Sequence, residues 1–334
     1  MLPRMKSLLH LLRRRGQRLA LLGLVVAGVW LVWTLLLVQA GKSEALEAPP
    51  NLALPTLGGK QLWADERLYG GWRIQRNVYT GHCRLLDAGD VRRAWGGEDQ
   101  CGRVLDAAIE SGAARLKSRK LCVLVHGFLR SKDSFKTLQG RLEAAGYTVY
   151  AVNYPSMHGT IAELAEPLKG ILEEAANDFD SVDLVTHSLG GLIVRELLSE
   201  SERTFPGRIV MLAPPNQGTR MADALLSWWP SEYVAGPAGT ELVTGDTGAG
   251  HRLPAPRCEF GVIAGSLAGG LNPIIPGDDD GLVGVDEAKL DGMADYRMVK
   301  AAHTFIMNHD EAIRQVLHFL AHGRFEHPEG GEEF

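Results

Sequence analysis

Residues 182–191, with the sequence VDLVTHSLGG, decide the fold of this chain. Residues 182–186 form an apolar run of strand length, and residues 189–198 show the apolar spacing of a helix. A strand that turns sharply into a helix holds the hydroxyl of Ser188 above the edge of a sheet, and the two glycines relieve crowding there. Thr186 stands where the usual G-x-S-x-G motif has its first glycine. Taken alone, the motif would also fit a serine that caps a helix.

The chain around this turn alternates between apolar runs of strand length and stretches with helical spacing. The strand-length runs are residues 121–125, 148–152, 182–186, 209–212, 260–264 and 296–299. Helical spacing is found in residues 135–145, 161–176, 189–198 and 310–320. This alternation predicts an α/β fold, with a mainly parallel sheet flanked by helices and functional groups at the carboxyl ends of the strands.

Three further segments carry groups that a serine nucleophile needs. His126-Gly127-Phe128 follows the strand predicted over 121–125. In a serine hydrolase such a turn supplies one oxyanion donor, and the residue after the nucleophile supplies the other, so Phe128 and Leu189 are the predicted donors. Later in the chain, Asp280 follows the strand at 260–264, and His303 follows the strand at 296–299. The chain order Ser, Asp, His is typical of the α/β-hydrolase fold.

At these motifs the chain resembles the α/β-hydrolase superfamily, and within it bacterial membrane-anchored lipases and esterases. The shared motifs are an H-G-F oxyanion turn, an H-S-x-G-G elbow, a D-G-x-V acid loop and an H-T-x-x-M histidine loop, and the resemblance covers about residues 120–322. The resemblance implies Ser188 as nucleophile, Asp280 as acid and His303 as base, with no metal and no organic cofactor. Residues 211–218 look like the strand end and turn that follow the elbow helix in such enzymes.

Several neighbours compete with these assignments. His126 and His187 lie at the two turns, but neighbouring residues on a tight turn point their side chains in different directions, so neither is expected to be the base. His309 is a closer rival to His303 as the base. Asp278 and Asp279 compete with Asp280 as the acid. Residues 276–287 also fit an EF-hand loop in part, but Pro276 stands where that loop has its first carboxylate ligand.

The first 40 residues have the features of a signal anchor. Residues 1–18 contain six basic and no acidic side chains, and residues 19–40 contain no charge, which is long enough to cross a bilayer. The positive-inside bias predicts a cytoplasmic N-terminus and a transmembrane helix over 19–40, with the rest of the chain outside, in the periplasm if the cell is Gram-negative. The rival hypothesis is a cleaved signal peptide, because Val38-Gln39-Ala40 resembles a cleavage site.

The rest of the chain divides by composition and motif. Residues 41–60 are a predicted linker, 61–118 an N-terminal extension of unassigned structure, 119–322 the catalytic domain and 323–334 a C-terminal tail. A long insertion at about 215–257 is predicted to form a cap over the site. Within it, Trp228 and Trp229 are expected to line an acyl pocket or touch the bilayer, unless they simply pack under the cap.

Composition and charge limit the class of protein and its partners, and the four cysteines raise the question of disulfides. The chain has 334 residues, of which 45% are hydrophobic and 22% charged, as in ordinary globular proteins. Beyond residue 40, 29 basic residues face 40 acidic ones, a net charge of −11 that argues against a nucleic-acid partner. Of the four cysteines, Cys83 and Cys101 are the favoured disulfide pair, although other pairings with Cys258 or Cys122 stay open; Cys122 fits a buried small hydrophobe better.

The sequence therefore predicts a serine hydrolase of carboxylic esters, with a hydrophobic or lipid substrate. A thioesterase, amidase or acyltransferase would use the same three side chains. A non-catalytic, membrane-tethered binding module on a hydrolase fold is the alternative outside enzymes.

Overall fold

The structure is a computed structural model that describes residues 61–199, 207–227, 232–267, 269–270 and 272–327. Its strands are β1 (Trp63–Tyr69), β2 (Trp72–Asn77), β3 (Cys83–Leu86), β4 (Arg92–Gly96), β5 (Lys120–Val125), β6 (Thr148–Val152), β7 (Ser181–His187), β8 (Ile209–Leu212), β9 (Phe260–Gly265) and β10 (Asp295–Val299). Its α-helices are α1 (Glu98–Glu110), α2 (Lys136–Ala144), α3 (Ile161–Asp178), α4 (Leu189–Ser199), α5 (Arg220–Leu226), α6 (Glu232–Thr240), α7 (Ala249–Arg252), α8 (Val285–Ala288) and α9 (Asp310–His322).

A six-stranded parallel sheet forms the centre of the described residues, in the order β10-β9-β8-β7-β5-β6. Side chains alternate across a strand, so each strand feeds two cores. In β5, Leu121 and Val123 pack in the cluster that contains residues of α3 and α4, whereas Cys122 and Leu124 pack with α2 and α9. Burial on both faces explains why these strands are almost continuously apolar.

The strand order reverses between β5 and β7, which creates a crevice at their carboxyl ends. From β5 the chain passes to β6 on one side, and from β6 it returns to β7 on the other side. Val125 and Thr186 pair at the ends of these two strands, directly before the turns that begin at His126 and His187. Ligands of open parallel sheets bind at such a reversal.

A separate four-stranded antiparallel sheet, β1-β2-β3-β4, occupies the N-terminal extension together with α1. It is joined to the edge strand of the central sheet through Asp65. The amide of Asp65 donates to the carbonyl of Asn153 at 2.8 Å, and the amide of Asn153 donates to Asp65 Oδ2 at 2.7 Å. Arg73 Nη1 neutralises the same carboxylate at 2.9 Å. The extension is therefore fixed to the chain that follows β6.

Helices α5, α6 and α7 lie in the insertion between β8 and β9, and one buried arginine holds part of this segment. Arg195 of α4 is 1% exposed, and its guanidinium donates to Asn216 O and Oδ1, Gly250 O, Leu253 O and Pro254 O. All these acceptors are uncharged oxygens. Burial lowers the pKa of Arg195 to about 10, so it remains a cation at neutral pH. Each carbonyl left without its donor would cost about 1–3 kcal/mol.

The mainly parallel sheet flanked by helices is confirmed. All six strands and four helices predicted from apolar spacing are present, with bounds that differ by at most two residues. No helix within the described ranges combines the length and apolar character needed to cross a bilayer. The anchor predicted over 19–40, the linker over 41–60, and Trp228 and Trp229 lie outside the described residues.

The disulfide predicted between Cys83 and Cys101 is wrong for this structure, in which all four cysteines are free thiols. Cys83 and Cys101 are fully buried in one apolar cluster with Leu85 and Leu105. Burial raises the pKa of Cys101 to about 11, so its thiol behaves as a small apolar group. Cys122 is fully buried in β5, as predicted.

Candidate active site

Ser188 lies on a strained turn between β7 and α4. Its backbone has φ 53°, which is left-handed, and its amide donates to the carbonyl of Leu212 at 2.9 Å. The helix begins so close to β5 that a Cβ on Gly190 would lie 2.3 Å from the carbonyl oxygen of Val125. Only glycine fits that approach. A Cβ on Gly191 would lie 3.1 Å from Pro214 Cβ and 3.4 Å from Thr186 Oγ1, so a side chain at this position would press on Pro214.

Backbone strain is concentrated at this edge of the sheet. Among the described non-glycine residues with positive φ, Leu129, Ser188 and Ala213 follow β5, β7 and β8, which are neighbouring strands. Such conformations cost about 1–3 kcal/mol each and persist where the surrounding structure holds them. Their alignment marks the crevice as the candidate functional site.

His303 and Asp280 form a buried pair beside this turn. His303 Nδ1 lies 2.8 Å from Asp280 Oδ2, and the amide of His303 donates to the carbonyl of Asp280 at 2.9 Å. The other carboxylate oxygen, Oδ1, accepts hydrogen bonds from the amides of Leu282 and Val283 at 3.0 and 2.8 Å. Since a carboxylate accepts, Nδ1 carries the proton and Nε2 is left as the basic nitrogen.

The competing acids serve the loop rather than a histidine. Asp279 accepts from the amides of Gly281 and Asn272 at 2.7 and 3.1 Å. Asp278 accepts from the amide of Gly269 and the hydroxyl of Ser266 at 2.8 and 3.1 Å. These hydrogen bonds stabilise the conformation of the loop that carries Asp280. Among the described residues, no group of three or more His, Cys, Asp or Glu is arranged to hold a metal ion.

The competing histidines have other partners or none. The ring of His126 stacks on Tyr154, with 4.0 Å between centroids, and burial lowers the pKa of His126 to about 4. His309 precedes α9, and its buried Nδ1 has no hydrogen-bond partner among the described residues. Neither contacts a carboxylate in the way that His303 does.

The turn after β5 approaches Ser188 closely. A Cβ on Gly127 would lie 3.0 Å from Ser188 Cβ, so glycine is required for this contact. The turn is also held from outside. Tyr154 donates its hydroxyl proton to the carbonyl of His126, and the amide of Leu129 donates to the buried hydroxyl of Ser156 at 3.0 Å. Phe128 lies between these two points.

The N-terminal extension reaches the same turn through Gln61. Its Nε2 lies 3.3 Å from both Ser156 Oγ and the carbonyl of Arg130, and its Oε1 accepts from the amide of Met157 at 3.2 Å. Tyr154, Ser156 and Gln61 were missed from the sequence. The position of Tyr154 and Ser156 directly after β6, at the carboxyl edge of a parallel sheet, is a signal that could have found the first two.

Large apolar side chains are exposed next to the site residues. Leu129 follows Phe128 and is 59% exposed, Leu282 is two residues after Asp280 and 41% exposed, and Phe305 is two residues after His303 and 66% exposed. The parallel sheet flanked by helices, with Ser188 on the turn between β7 and α4, supports the expected α/β-hydrolase fold.

Comparisons with known proteins give the following similarities. Residues 96–227 match a family described as a domain of unknown function (DUF7379). Over 104 residues the chain is 31% identical to Methylesterase 7 of Arabidopsis thaliana, an alignment that covers 28% of this chain and 38% of that protein. The chain thus spans well under half the length of this curated relative.

Two solved structures of lipid-cleaving enzymes are also similar. The mature form of a lipase from Bacillus licheniformis is 20% identical, with a TM-score of 0.48, and the match covers 60% of this chain and 90% of that one. The phospholipase PlaB from Legionella pneumophila is 19% identical, with a TM-score of 0.42, over 51% of this chain and 45% of that one.

Proposed function

We propose that this chain, whose sheet and elbow are those of the α/β-hydrolase fold, is a serine hydrolase that cleaves carboxylic esters. The observation that carries the proposal is the buried His303–Asp280 pair beside the strained turn of Ser188. A hydroxyl is a weak nucleophile until a neighbouring base accepts its proton. An imidazole oriented by a carboxylate is such a base.

In the proposed mechanism, His303 Nε2 accepts the proton of Ser188 as Oγ attacks the ester carbonyl. Asp280 stays ionised and stabilises the imidazolium that forms. The amides of Phe128 and Leu189 stabilise the tetrahedral oxyanion, at about 3–4 kcal/mol for one donor. His303 then gives the proton to the leaving alcohol, which leaves an acyl-enzyme on Ser188. Water, deprotonated by His303, attacks that acyl group and frees the serine.

The substrate we propose has a hydrophobic acyl chain, as in a lipid. The exposed side chains of Leu129, Leu282 and Phe305 support this, because each lies within two residues of a proposed site residue. An apolar acyl chain that covered these side chains would remove their apolar surface from water, which is favourable. Trp228 and Trp229, in the insertion proposed as a cap, would extend this apolar lining around the acyl chain.

A substrate panel tests the proposed function. We expect p-nitrophenyl esters to be hydrolysed with kcat/KM that rises from acetate to octanoate, and matched thioesters and anilides to be poorer substrates. A preference for thioesters would favour the thioesterase or acyltransferase alternative, and a preference for anilides an amidase. Failure to hydrolyse any of them, together with failure to react with a fluorophosphonate, would leave a binding module and reject the proposal.

We also propose that the hydrolase is tethered outside the cytoplasm by residues 19–40, since the six basic residues before this uncharged run favour a cytoplasmic N-terminus. A reporter that is active only outside the cytoplasm, fused after Phe334, is expected to be active and to stay with membranes after a carbonate wash. Soluble release with a new N-terminus at Gly41 would replace the anchor by a cleaved signal peptide. An inactive reporter would reject the outward topology.

A further inference from the structure

The residue before the proposed nucleophile is a histidine that is enclosed on all sides. His187 is 1% exposed, and its Nε2 lies 3.0 Å from the backbone carbonyl oxygen of His303. A carbonyl only accepts, so Nε2 carries the proton and donates it. The two imidazole rings also touch, with 4.8 Å between their centroids.

The other nitrogen of His187 faces the oxyanion turn. A Cβ built on Gly127 would lie 2.8 Å from His187 Nδ1, and within the described residues this buried nitrogen has no hydrogen-bond partner. One side chain therefore fills the space between the elbow, the turn after β5 and the loop that carries His303.

The bond to His187 completes the fixation of the His303 backbone. The amide of His303 is held by the carbonyl of Asp280 at 2.9 Å, and its carbonyl is held by His187 at 3.0 Å. Because His187 and Ser188 are consecutive, this second bond joins the backbone of the base to the chain segment that carries the nucleophile.

His187 suits this position because it is uncharged. Burial lowers the pKa of His187 well below its ordinary value, and the neighbouring His303 lowers it further. A cation at His187 would oppose the positive charge that His303 acquires when it accepts a proton. A neutral imidazole donates the same hydrogen bond without that repulsion.

We propose that His187 is a positioning residue for His303, which it holds at the correct distance from Ser188 through the Nε2–H···O bond to the His303 carbonyl. This inference rests on the proposed function. His187 is not itself the base, because its unprotonated Nδ1 faces the turn at Gly127 and, among the described residues, neither of its ring nitrogens is hydrogen-bonded to a carboxylate that would orient it.

Two substitutions of nearly equal polarity test the role of this bond. Glutamine places its amide nitrogen three bonds from Cβ, as His187 places Nε2, whereas asparagine places it only two bonds away. We expect His187→Asn to lower kcat about 100-fold, the cost of a misplacement of roughly 1 Å, with KM changed less than about threefold. His187→Gln should recover most of the lost kcat. Both variants should be compared at equal folded fraction, checked by thermal unfolding.

Equal kcat in the Gln and Asn variants, or full activity in both, would overturn the proposal. A measurement on the unmodified protein keeps the test independent of activity and of variant folding. In ¹⁵N-histidine NMR at neutral pH, we expect His187 to be protonated at Nε2 and bare at Nδ1. An Nδ1–H tautomer or a cationic ring would contradict the proposed hydrogen bond directly. If the unmodified protein shows the expected tautomer but hydrolyses no ester, the proposed function is rejected instead.

Discussion

Replacing Ser188 by alanine is expected to lower kcat for ester hydrolysis by roughly a million-fold and to abolish labelling by a fluorophosphonate. The side-chain oxygen of Ser188 is the atom that would bond to the acyl carbon, and loss of a nucleophile removes the covalent route altogether. The folded structure should persist, because alanine accepts the φ of 53° at about the same cost as serine. The measurement is steady-state hydrolysis of a p-nitrophenyl ester together with mass-spectrometric mapping of the adduct.

A matched control is available at the other end of the same helix. Ser199 is exposed, and its hydroxyl donates to the carbonyl of Glu196. Ser199→Ala should leave kcat and labelling within twofold of the unmodified protein. A fluorophosphonate adduct on any serine other than Ser188, or undiminished turnover in Ser188→Ala, would show that the nucleophile has been misassigned.

Substitution of Asp280 by asparagine is expected to lower kcat by roughly ten-thousand-fold in folded protein. An amide at this position can donate to His303 Nδ1, which would put the imidazole proton on Nε2 and leave no lone pair to accept the serine proton. His303→Ala removes the base outright and should cost at least as much. The effects should not add in the double variant, because the three side chains act as a unit.

Asp279→Asn and His309→Gln are the controls for this pair. Asp279 accepts hydrogen bonds from two backbone amides of its own loop, and the buried Nδ1 of His309 has no hydrogen-bond partner among the described residues, so both variants should keep kcat within a few-fold. If instead Asp279→Asn or His309→Gln removes activity while Asp280→Asn and His303→Ala retain it, the acid and base must be reassigned to those neighbours.

The strands of the central sheet could be predicted because burial on both faces demands apolar side chains. The sheet of the N-terminal extension could not be predicted, because some of its buried side chains are polar and interrupt the apolar pattern. In β2, with the sequence WRIQRN, the buried side chains of Arg73 and Gln75 both donate hydrogen bonds to Asp65, so the inward positions are not apolar. Periodicity reports hydrophobic burial and is silent about a buried hydrogen-bond network.

The candidate site likewise contains residues that the sequence predicts and contacts that it does not predict. The positions of Ser188, Asp280 and His303 in the segments that follow β7, β9 and β10 could be inferred from chain order and from the strand ends, which the local sequence shows. The hydrogen-bond partners of the turn after β5 could not be inferred in this way, because Ser156 is 27 residues from Leu129 and Gln61 is 95 residues from Ser156. Such contacts depend on how distant segments pack. The predicted pairing of Cys83 with Cys101 is wrong because both thiols pack as small apolar groups in one buried cluster, which the sequence around them does not show.

The attachment of Gln61 and Asp65 to the chain after β6 has a consequence for inhibitor kinetics. Gln61 contacts Ser156, which holds the amide of Leu129, and Asp65 is bonded to Asn153 a few residues earlier. An antibody fragment that displaced β1 would therefore disturb the turn that carries Phe128, one of the two proposed oxyanion donors, without occupying the substrate crevice. Its signature would be noncompetitive inhibition, with a reduced maximal rate that no concentration of substrate restores.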